Sequence, residues 1–118
     1  MLIPQISVFL ENRAGQLSEI TDVLTTSGIN LRAINIAETS DYGVLRLIAD
    51  DTDKAGKVLS DAGYIIKIND VNSEEIPDEV GALGKLLKAY AAENKDIEYM
   101  YSVFGGNEGK ALMVIKTK

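Results

Sequence analysis

Apolar and polar residues alternate from Gln5 to Leu10, with Ile6, Val8 and Leu10 on one side and Ser7 on the other, as in a half-buried strand. Phe9 on the second side implies that part of that face is covered too. From Gly15 the period changes. Leu17, Ile20, Val23 and Leu24 form a stripe at helical spacing, and Gly28 follows it as a stop, which predicts a helix of about three to four turns. Leu31 to Ala37 and Gly43 to Ala49 read as two strands joined by Glu38-Thr39-Ser40-Asp41-Tyr42, a hairpin. Asp51 or Thr52 can cap a second helix with the stripe Ala55, Val58, Leu59 and Ala62, ended by Gly63. Tyr64 to Val71 is a further strand. Strand, helix, strand, strand, helix, strand is the order of a split βαβ, ferredoxin-like fold, α+β with antiparallel sheets and helices on one face.

After Val71 the pattern starts again. An offset of 66 places Leu10 on Ile76, Gly15 on Gly81, Leu17 on Leu83 and Ile20 on Leu86. An offset of 67, one extra hairpin residue, places Val44, Leu45 and Ile48 on Ala111, Leu112 and Ile115. The chain therefore reads as module one, residues 1–70, and module two, residues 71–118, the second lacking a final helix and strand. Tyr64 to Ile76, with no Gly or Pro inside it, reads equally as one bent strand serving both modules. In the 4-1-3-2 strand order of such sheets, the truncation leaves Val71 to Ile76 at an edge. Unpaired edges attract strands, so module one or another chain is expected to cover it, and a homodimer is favoured.

Composition narrows the chemistry. Among 118 residues there is no Cys and no His, which removes thiol nucleophiles, imidazole bases, zinc sites and disulfides together. The formal net charge of −6 disfavours a nucleic-acid backbone or an anionic membrane surface as partner. No apolar run approaches a membrane span, and Met1-Leu2-Ile3-Pro4 does not look like the start of a secretory signal, so a cytoplasmic protein is expected. No cofactor is implied. Asp50-Asp51-Thr52-Asp53 is explained by helix capping and first-turn charge without a metal ion.

The chemically suggestive stretch is Glu11-Asn12-Arg13-Ala14-Gly15-Gln16-Leu17, between a strand and a helix start. First-turn amides lack intrahelical acceptors and carry partial positive charge, so a small carboxylate suits the Ala14 to Leu17 amides. Gly15 lets a ligand approach the backbone, and Asn12 can both accept from an ammonium and donate to a carboxylate. The same residues also suit a capped turn with no ligand.

"LENRAGQLSEI", followed by "SGINL" after its helix, resembles the ACT domain, a βαββαβ regulatory module that binds amino acids and related metabolites between modules. Against the loop of the serine-sensing ACT domain of phosphoglycerate dehydrogenase, Asn12, Gly15 and Asn30 match, while Leu10 stands at its His and Ala14 at its Pro. In the second copy Asp78, Gly81 and Asp96 stand at the positions of Asn12, Gly15 and Asn30. The resemblance implies a non-enzymatic sensor that binds an amino acid and acts on a metabolic enzyme, in the manner of a regulatory subunit such as that of acetolactate synthase. It further implies ligand partners that cross between modules, Asn12 with Asp96 and Asp78 with Asn30. The first pair is the better amino-acid site, because Asp78 would repel a carboxylate and suits capping of its own helix. Two rivals share the topology. A small phosphatase would use Arg13 and Asn12 to cradle phosphate, although Arg13 reads more simply as a solvated loop residue. An RNA-recognition module needs aromatics and cations on central strands; Tyr99 and Tyr101, which share a face, suit sheet packing or an interface better.

Overall fold

The structure, a computed structural model, describes residues 1–11, 13–38 and 42–118. Asn12 and the hairpin turn Thr39-Ser40-Asp41 lie outside the described residues. The element order is β1 (Leu2–Glu11), α1 (Gln16–Thr26), β2 (Leu31–Glu38), β3 (Tyr42–Ala49), α2 (Thr52–Asp61), β4 (Ile65–Pro77), α3 (Ala82–Ala92), β5 (Ile97–Ser102) and β6 (Lys110–Thr117). The fold is α+β, with antiparallel strands and ferredoxin-like strand order. Tyr64 to Ile76 resolves into the single long strand β4, which has no glycine to break it and ends at Pro77.

Two compact units divide the chain: Pro4–Asp70, and Val71–Lys118 together with Met1–Ile3. In the first, the strand order is β2-β3-β1-β4. Register places Ile6 opposite Leu47 and Val8 opposite Leu45, so these four share one face. Ile20 and Leu24 of α1 and Ala55 and Leu59 of α2 bury against that face. Leu17, expected in the α1 stripe, is 39% exposed, because it falls in the first turn beyond the core's edge. The opposite face is not open either: Gln5, Ser7, Ala33 and Ile48 are all buried.

The second unit has the order β1-β4-β6-β5, with Met1–Ile3 at the start of β1 in the place of a fourth strand. Ser73 N–H donates to the Met1 carbonyl at 2.8 Å, and the Met1 amino nitrogen donates to the Ser73 carbonyl at 3.1 Å. This reciprocal pair is antiparallel pairing. The chain itself thus covers the Val71 to Ile76 edge at Ser73.

The internal repeat extends to details of hydrogen bonding. Asp50 N–H donates to the Asn30 carbonyl and Lys118 N–H to the Asp96 carbonyl, each at 3.0 Å. Leu31 and Ala33 of β2 flank a bulge, as do Ile97 and Tyr99 of β5. At the end of α1 Gly28 is left-handed (φ 72°); Asn94 occupies the same place after α3 (φ 57°). Asn tolerates that region better than most side chains, which is how "NKDI" substitutes for a glycine stop.

The register differs from the offset of 67 expected for the second hairpin. Ile34 pairs with Leu47 and Met100 with Ile115, so β3 maps onto β6 with an offset of 68. The second hairpin is longer by two residues, and Leu45 and Leu47 correspond to Met113 and Ile115.

The face beside α3 differs in chemistry from its counterpart in the first unit. At the positions of Ile6, Val8 and Leu24 stand Asn72, Glu74 and Tyr90. Asn72 Nδ2 donates to Tyr90 Oη (2.6 Å) and to Glu74 Oε1 (2.8 Å), and Tyr90 Oη donates to the same carboxylate oxygen (2.8 Å). Among the described residues one helix covers this face where two cover its counterpart; half-buried Asn72 and Glu74 and buried Tyr90 replace apolar residues and hydrogen-bond to one another, and Asn72 Oδ1 accepts from the Met1 amino group as well.

No helix among the described residues is long and apolar enough to cross a membrane. No group of carboxylates among them is placed to hold a metal ion. Asp50 and Asp51 serve the backbone, accepting from Asn30 N–H and Lys54 N–H respectively, each at 3.1 Å.

Candidate functional site

Each unit carries the same strand-to-helix corner. Ala14 and Gly15 form the turn before α1, with Gly15 left-handed at φ 85°; Gly81 before α3 has φ 87°. Gln16 N–H donates to the Arg13 carbonyl (3.4 Å), matched by Ala82 N–H to the Glu79 carbonyl (3.2 Å). The Gly15 and Gly81 carbonyls accept from Glu19 N–H and Lys85 N–H, both at 3.0 Å. Among the described residues no side chain caps either glycine start, whereas Asp51 caps α2. Because the Gln16 amide is used within the turn, the first-turn amides of α1 that have no acceptor among the described residues are those of Leu17 and Ser18, and the sequence does not single out Ser18. Asp78 does not cap α3; its own N–H donates to the Gly109 carbonyl at 2.9 Å.

Both corners open onto cavities. That at α1 has a volume of about 590 Å³, and that at α3 about 530 Å³. Pockets of roughly 300–1,000 Å³ hold small ligands. Their linings differ. Phe9, Leu10, Tyr42, Tyr64 and Ile65 form the apolar side of the α1 cavity, and Glu11, Arg13, Gln16 and Glu19 its polar side. The α3 cavity has aliphatic walls, including Ile76, Val80 and Leu86, with Glu79 and Lys85 as its charged residues.

Arg13 is not the freely solvated residue its loop position suggested. Its guanidinium pairs with Glu19 at 2.9 Å, both side chains about half exposed. The hydrogen bond to Glu19 is the main cause that raises the Arg13 pKa, and the reciprocal bond holds the Glu19 carboxyl below its ordinary range. Tyr64 Oη donates to Glu19 as well (3.3 Å); burial, then the charge of Glu19, push that phenol up. The carboxylate thus links the loop before α1 to the residue that leads into β4. Gln16 Oε1 is buried and has no hydrogen-bond partner among the described residues.

Among the remaining expected residues, Asn30 is anchored through its backbone to Asp50, and the Asp96 carbonyl is held by Lys118. Tyr99 and Tyr101 stack on each other, centroids 6.4 Å apart, on the edge strand β5, with Tyr101 buried. That is sheet packing, not a base-stacking platform.

Two modules of strand, helix, strand, strand, each with a left-handed glycine at the corner before its first helix, define a paired ferredoxin-like fold. The whole chain, residues 1–118, matches the ACT domain pair family and belongs to it. Among solved structures it is similar to protein BT0572 from Bacteroides thetaiotaomicron, with 45% identity, TM-score 0.91, and coverage of 100% of this chain and 81% of that one. It also resembles the ligand-free regulatory subunit of aspartate kinase from Thermus thermophilus (16% identity, TM-score 0.71, covering 98% and 87%). The corresponding subunit from Thermus flavus is similar at 17% identity, TM-score 0.67, covering 98% and 84%. These two likenesses are of fold. No curated protein sequence matches the chain.

Proposed function

We propose that this ACT domain pair is a non-enzymatic sensor that binds an amino acid at a glycine corner and acts on a separate metabolic enzyme in the cytoplasm, as a homodimer. The observation that carries the reading is the pair of glycine corners: α1 and α3 each begin at a left-handed glycine beside a cavity of ligand size, and among the described residues no side chain caps either start, whereas Asp51 caps α2. Open first-turn amides suit a carboxylate. Ala14, Gly15, Gln16 and Leu17 in the first module and Asp78 and Gly81 in the second are the corner residues of the proposed sites. The likeness of fold to aspartate kinase regulatory subunits supports action through an enzyme partner. A phosphatase reading is weaker, since Arg13 is already engaged by Glu19.

Thermal unfolding followed with each proteinogenic amino acid and common keto-acids tests the proposal. A ligand of the folded state at a hundredfold its Kd adds about 2.7 kcal/mol. At least one amino acid is expected to raise Tm, and Asn12→Ala or Asp96→Ala to reduce the rise. A panel with no effect sinks the reading.

A further inference from the structure

The two corners are repeats in backbone but not in chemistry, and the difference selects a ligand head group. In the α1 cavity the cation Arg13 is paired with Glu19 and feels the charge of Glu11 only weakly. Glu11, by contrast, makes no side-chain hydrogen bond or ion pair among the described residues. Register places it directly opposite Tyr42 and, two residues along β1, on the same face as Phe9. Phe9 and Tyr42 are 45% and 68% exposed and line the cavity with Glu11. A carboxylate beside aromatic rings attracts a cation twice, by charge and by the negative faces of the rings. The α3 cavity has no aromatic wall, and its two charged residues, Glu79 and Lys85, are of opposite sign, so it lacks the pairing of carboxylate and aromatic rings found in the α1 cavity.

We infer that the α1 cavity recognises a primary ammonium carried on an apolar body, with Glu11 as its counter-ion and Phe9 and Tyr42 packing on the adjoining carbons. The inference rests on the sensor reading and names the residue that would read the amino group. The open Leu17 and Ser18 amides would take the carboxylate where the ligand has one. Free amines share the head group with amino acids, so both belong in the test.

Amide NMR titrations with L-phenylalanine, L-leucine, phenethylamine, isoamylamine and 3-phenylpropionate separate the cases. An amino acid and its amine are expected to shift the resonances of Leu10, Glu11 and Tyr42, and 3-phenylpropionate to leave them in place. Glu11→Gln should weaken the binding at least tenfold while leaving the spectrum of the free protein folded. The inference is overturned if the acid binds as well as the amines, if Glu11→Gln leaves affinity unchanged, or if none of the five binds. An amino acid that raises Tm independently of Glu11 would leave the sensor reading standing and remove only the ammonium assignment.

Discussion

Glu19 joins Arg13 and Tyr64 at the rim of the α1 cavity, and its carboxyl is held below its ordinary range first by the hydrogen bond from Arg13. A group with a depressed folded pKa stabilises the fold above its unfolded pKa, and the contribution is lost as pH falls through the folded value. Glu19→Gln is therefore expected to be less stable than wild type at neutral pH and to converge with it in acid. The gap should be small, because both partners are about half exposed and solvent screens them. Urea denaturation of both proteins at neutral and acidic pH checks this; a gap that widens in acid would mean that Glu19 acts through something other than its charge.

The helices differ in how their ends and interiors are secured, and each difference has a measurable consequence. Asp51 caps α2, so Asp51→Ala is expected to cost about 1 kcal/mol. Gly84 lies within α3, and a Cβ there meets nothing within 4 Å, so Gly84→Ala should stabilise by about 0.5–1 kcal/mol. Chemical denaturation reads both, and a destabilised Gly84→Ala would show that the helix face at Gly84 is covered in solution. The elements themselves were legible because alternation marks β1 and helical spacing marks α1 and α2. The pairing of β6 was not. Ala111 to Ile115 is an unbroken apolar run, so the pattern cannot say which residues face α3, and a one-residue slip reverses every side chain. The corner at Gly15 was legible from its glycine and the helix that follows. Glu11 and Tyr42 were not, because cross-strand register brings them together from positions far apart in sequence.

The second unit shows the 4-1-3-2 order, with Met1–Ile3 in the fourth place beside the second half of β4. The exposed edge that favoured a dimer from sequence is therefore met at Ser73 by the chain's own first residues, through two backbone hydrogen bonds and a third from Ser73 Oγ to the Met1 carbonyl at 3.0 Å. Edge protection then no longer requires a second chain, and a dimer would have to be held by other surfaces. Removing residues 1–3 separates the two roles. The Ser73 amide is expected to exchange at least tenfold faster in the shortened chain, since the Met1 carbonyl is its acceptor. The exposed β4 edge should then drive concentration-dependent association, visible by light scattering, that the full chain does not show through this edge. The first unit's core residues Ile6 and Val8 do not depend on that pairing for their cover by α1 and α2, so their amides should keep their protection. Unchanged exchange at Ser73 would mean that the edge is covered by something other than Met1, and would restore the dimer as the explanation.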